Sequence, residues 1–150
     1  MLFGEFTLAL KSSVDREVYK LAAENAYEFF DLDGAYLLPE QAESTKPAIA
    51  WSLLNIIEAP RDPFYSVHFE VGARTSNDVA QYDSMRILCL IQNAFPVNKD
   101  IRIVDYSKEY VTGEVVGYFL ITSTVSTPPS FDKVSSIRTI QFTAAVQRFI

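Results

Sequence analysis

Residues 65–75 read Tyr-Ser-Val-His-Phe-Glu-Val-Gly-Ala-Arg-Thr, an almost unbroken alternation of apolar and polar side chains. Successive side chains of a strand point to opposite faces, so this period of two commits the segment to a β-strand with one buried face. Tyr65, Val67, Phe69, Val71 and Ala73 form the inward set. Ser66, His68, Glu70, Gly72 and Arg74 form a set open to water. A strand of this kind needs neighbours and an apolar cover, and the rest of the chain supplies both.

Residues 12–30 read as a helix. Ser12 or Ser13 can cap it, and Asp15 and Glu17 put negative charge in the first turn, where the dipole favours it. Val14, Val18 and Leu21 recur at helical spacing, with Ala22, Ala26 and Phe30 widening the stripe. Asp31-Leu-Asp33-Gly34 reads as the helix stop, and 35–47 as a long loop. Residues 48–58 form a largely buried strand ended by Pro60 and Pro63. After the alternating strand, Ser76-Asn77-Asp78 caps a second helix over 78–94, closed by Pro96. Its apolar content (Val79, Tyr82, Met85, Ile87, Leu88, Leu90, Ile91, Phe95) predicts burial on more than one side. With the short strand at 101–106, strand and helix resemble a β-α-β unit. Residues 115–127 and 136–149 form two further strands, a ribbon with Pro128-Pro129 at its tip. Ile140, Phe142, Ala144 and Val146 face inward on the second. Together these elements predict one α+β domain over 1–150. It has a mixed, mainly antiparallel sheet, an N-terminal and a central helix packed on it, and a C-terminal β-ribbon.

A chain of 150 residues that is 49% apolar is large enough to bury a core, and lies far from the composition of disorder. Its 8 Tyr and 11 Phe serve the core first, although surface copies would suit a protein interface. The 19 acidic residues against 13 basic give a net charge of −6, which argues against direct phosphate binding. Residues 1–50 carry −5 of that charge, as a solvated acidic surface or one that repels DNA and steers a basic partner. Cys89 is the single cysteine, so neither an intrachain disulfide nor a zinc set is available. Its apolar run, Ile87 to Ile91, predicts a small buried hydrophobe. The basic start and apolar stretch of a signal peptide are missing, and the apolar runs are too short to span a bilayer. The reading is a soluble, cytosolic chain with no membrane partner.

Catalytic chemistry is hard to assemble from these residues. Ser66 and Glu70 flank His68 on one strand face, but side chains two apart stand about 7 Å from each other. A third element would be needed to make a nucleophile–base–orienter chain. The Asp31–Gly34 segment lacks the Gly and Glu positions of a calcium loop. The five Gly residues are scattered, which excludes a phosphate loop or dinucleotide fingerprint. Gly113 and Gly117 read as turn or bulge positions, and Trp51 as core. The expectation is no enzyme, no cofactor and no metal.

The element order resembles that of the tail terminator (tail completion) proteins of long-tailed bacteriophages. Phe64–Arg74 leading into Asp78–Phe95, then Ile101–Tyr106 and the closing strand Ser136–Phe149, carry the resemblance. It implies a structural virion subunit that caps the tail tube as a self-assembled ring, usually of six. Its partners would be the tube protein and the head connector, with DNA only sliding through the lumen, unbound. It would reside in the tail or neck of the virion, and in host cytoplasm during assembly. Pro128, Pro129 and Phe131 of the ribbon tip and His68, Glu70 and Arg74 of the alternating strand are the candidate interface residues. Two other readings stay open. One is a different neck or tail component, such as a head–tail joining or tube protein. The other is a small α/β ligand-binding domain or enzyme starting from Tyr65, His68 and Glu70.

Overall fold

The computed structural model of the chain describes residues 3–31, 47–57, 64–76, 82–105, 114–127, 130–131 and 135–149. Helix α1 (Phe3–Glu24) opens the fold, followed by strands β1 (Glu28–Asp31), β2 (Ala48–Ile57) and β3 (Phe64–Ser76). Helix α2 (Tyr82–Ala94) leads into β4 (Asp100–Asp105), β5 (Glu114–Ser126), the short β6 (Ser130–Phe131) and β7 (Ser135–Arg148). The expected α+β domain is present, with two helices and one sheet among the described residues. The long loop expected at 35–47 lies outside them except for Pro47.

The helix boundaries differ from those read in the sequence. Helix α1 starts nine residues earlier, because Phe6, Ala9 and Leu10 extend the buried stripe of Val14, Val18 and Ala22. Ser12 and Ser13 are therefore mid-helix residues, and both hydroxyls bond back to the Ala9 carbonyl, at 3.2 and 2.8 Å. The helix ends before Asn25, not at Asp31–Gly34. Ala26 adopts φ 57°, Tyr27 N donates to the Ala22 carbonyl (2.9 Å) and Ala26 N to Ala23 (3.3 Å). That is a Schellman ending with Ala where Gly is usual. Tyr27 onward is released, and Phe30 becomes a strand residue.

The sheet runs β1-β2-β3-β7-β5-β4, with β6 pairing to β7. Only β1 and β2 are parallel; every other pairing is antiparallel. Strands β3 and β4 are thus separated by β7 and β5 and run in opposite directions, so the expected β-α-β unit is absent. The chain from α2 passes beyond two strands that have not yet been reached in sequence.

Both helices cover one face. Phe69 stacks on Phe142 (4.8 Å between centroids, 13° between planes), with Phe95 and Phe119 edge-on to Phe69. Trp51, Val71, Ile103, Ile121 and Ile140 complete the same core. Helix α2 turns only one stripe to it: Ser84, Ile87, Leu88 and Ile91 are buried, whereas Met85 and Cys89 are exposed. The expectations of burial on more than one side of this helix and of a buried Cys89 are both corrected. The apolar run continues around the helix, but the sheet is on one side only.

Two contacts tie α1 across the sheet. Trp51 Nε1 donates to Asp15 Oδ1 (2.6 Å), and the Lys11 ammonium sits 4.3 Å from the Trp51 ring centre. The Val104 amide of β4 donates to Ser13 Oγ (2.9 Å). The β4–β5 register slips at Val116, beside Gly117, whose hydrogen leaves room that a Cβ would lose to the Gln147 carbonyl. The bulge read at Gly117 is there.

Candidate assembly surface

The face of the sheet away from the helices holds the polar set of β3. Cross-strand register places Phe30, Ala50, Gly72 and Thr139 in one row, and Ser52, Glu70 and Gln141 in the next. His68 follows beside Thr143. Glu70 and His68 are half-buried, and Gln141 Nε2 approaches Glu70 Oε2 at 3.4 Å.

Arg74 departs from the expected wet position: it is 6% exposed. Its guanidinium lies 5.2 Å from the Phe30 ring centre, and its Nη2 is 3.9 Å from Glu28 Oε2. A guanidinium on an aromatic face with a carboxylate beside it is favourable even where water is scarce. Arg74 and Glu70 both line a cavity of about 100 Å³, walled by Phe30, Ala50, Gly72 and Ile137. The walls are mainly apolar, and its charge comes from the two β3 side chains. Gly72 leaves the floor open, since a Cβ there would meet Thr139 Cγ2 at 2.8 Å.

Of the six residues selected from sequence, three are therefore together on this face. His68 stands one row outside the cavity that Glu70 and Arg74 line. Phe131 lies in β6, opposite Ser136. Pro128 and Pro129 fall outside the described residues, as does the Asp33-Gly34 part of the expected helix stop.

Sequence reading missed the edge of β5. Strand β4 pairs with β5 only as far as Leu120, and the turn before β4 bonds Ile121 (Asn98 N to Ile121 O 2.8 Å; Ile121 N to Lys99 O 3.0 Å). Residues 123–126 pair on one side with β7 alone, Thr122 being bulged out of the register, and the whole stretch 122–126, Thr-Ser-Thr-Val-Ser, is exposed, Val125 at 59%. Toward the other end of β5, Phe149 packs on Tyr118 (5.3 Å), and Phe149 and Leu120 are 43% and 38% exposed. The hydroxyl-rich composition of this stretch was a signal, but the place where β4 stops was not readable.

Among the described residues, no helix is long and apolar enough to cross a membrane. Among the described residues, no group of three or more His, Cys, Asp and Glu is set to hold a metal ion.

No protein-family model matches the chain, and no curated protein matches its sequence. Solved structures do match its fold. One superposes with a TM-score of 0.66 at 10% identity, covering 96% of this chain and 97% of its own. At that identity the likeness shows the fold alone. The fold so defined is a two-layer α+β domain, with both described helices on one sheet face and, among the described residues, a cavity on the other face and an unpaired edge at the end of β5.

Proposed function

We propose that this chain is a structural subunit of a long-tailed phage virion. It caps the tail tube as a ring of about six copies, ends tube growth and presents a docking surface to the head connector. The observation that carries the reading is the distribution of exposed surface. Among the described residues, helices close one face of the sheet, while the other face and one uncharged strand edge are left for contacts between proteins. The resemblance in element order adds to it. Heterologous contacts between identical subunits close into a ring when the rotation per copy divides the circle. A net charge of −6 suits a lumen through which DNA passes without sticking.

Absolute mass by light scattering across a wide concentration range tests the reading. From a 16.9 kDa chain, the expected product is about 100 kDa, seen as an annulus by negative stain. A dimer as the end point would overturn it.

A second reading rests on the cavity between Glu70 and Arg74. A small apolar pocket with two converging charges is the usual form of a ligand site, and a strict monomer would favour it. In that case Glu70→Gln would abolish binding, whereas a ring assembled through the β5 edge would survive the change.

A further inference from the structure

We infer that residues 122–126 of β5 receive a strand from the neighbouring copy, and that the donor is that copy's β1. The inference rests on the ring reading and adds to it the surface and the chemistry of the contact.

An edge strand exposes backbone donors and acceptors that fit another extended backbone, and proteins ordinarily blunt such edges with charge, proline or cover. The sheet has three open edge segments among its described strands. Strand β4 carries Asp100, Arg102 and Asp105, and its Val104 amide is already taken by Ser13 Oγ. Strand β1 carries Glu28 and Asp31 in four residues. Residues 122–126 have no charge and no proline, and the exposed Val125 adds an apolar side chain to the contact.

Charge decides which edges can meet. Like charges opposed across two strands are destabilising. Pairing β1 with another β1 opposes acids to acids; the β4 edge offers Arg102 between Asp100 and Asp105, but its Val104 amide is held by Ser13 Oγ and cannot enter a new ladder. The uncharged edge of β5 accepts β1 without that penalty, and four residues of β1 fit within its five. The two edges lie on different strands, so the contact is head-to-tail and repeats from copy to copy. That is the geometry from which a ring is built.

Amide hydrogen exchange on the assembled and the dilute protein, together with Val125→Glu, tests this. Assembly should slow the outward amides of both 122–126 and 28–31 about tenfold or more, since strand pairing protects them. Val125→Glu sets an acid against Glu28 and Asp31 of the donor strand; it should keep its melting temperature, because the position is 59% exposed, and should stay at 16.9 kDa where the wild type assembles. A ring whose 122–126 amides exchange as in the monomer, or one that Val125→Glu still forms, overturns the inference and leaves the ring reading standing. Protection of 122–126 without 28–31 overturns β1 as the donor. A wild-type chain that is monomeric at every concentration overturns both readings together.

Discussion

Ala26 ends the first helix in a conformation that costs an L-residue about 1 kcal/mol or more, because its Cβ crowds the following carbonyl. The φ of 57° and the two bonds back to Ala22 and Ala23 fix that geometry in place. Ala26→Gly should therefore raise stability by about 1 kcal/mol, read as a higher urea midpoint at unchanged slope. Trp51 is the opposite case, a residue already well served. Its indole N–H reaches Asp15 at 2.6 Å while its ring is fully buried. Trp51→Phe should cost about 2 to 3 kcal/mol, since hydrogen bonds to charged groups contribute about 1.5 to 3. A double-mutant cycle with Asp15→Ala should be clearly non-additive, because both single changes remove the same bond.

At the scale of elements, helix α2 carries a half-hidden apolar sequence. Ile87, Leu88 and Ile91 face the sheet while Met85 and Cys89 stand out on the other side. The folded protein should react with one equivalent of a thiol reagent without denaturant, and a reaction that needs unfolding would contradict the exposed position. Strands β3 and β7 were legible because alternation is a local property: Phe69 and Phe142 announce their face within their own segments; β2 was legible as an apolar run bounded by prolines. The start of α1 was not legible because Ser12 and Ser13 imitate a cap, whereas the buried Ser13 hydroxyl donates to the Ala9 carbonyl and accepts from the distant Val104 amide. Its end was hidden because Ala26 gives no glycine signal. The site was half legible. Glu70 and Arg74 were on one strand face, but Phe30 was assigned to the helix, and Ile137 is brought near them only by the β3–β7 register. Which strands become neighbours is a long-range outcome that no local pattern carries.

The whole molecule depends on one element. Strand β7 follows every other strand in sequence yet lies inside the sheet, bonded to β3 on one side and to β5 on the other. A chain stopped at residue 134 should give no cooperative unfolding transition and should be recovered insoluble. Such a chain would leave Phe69, Val71 and Phe119 without the Phe142, Ile140 and Val146 layer between them. Soluble, cooperatively melting protein from that truncation would contradict this account. The position of β7 also bears on how the protein is made. As the chain leaves the ribosome, β3 and β5 emerge with no partner for their shared gap, and α1 waits for Val104, 91 residues downstream of Ser13. Long-range pairing of this kind is slow, and uncovered strands stick to one another meanwhile. The sheet therefore closes only once β7 has been made and slides into its centre. Until then each nascent chain is a hazard to its neighbours, and chaperone supply, more than translation rate, should set the yield.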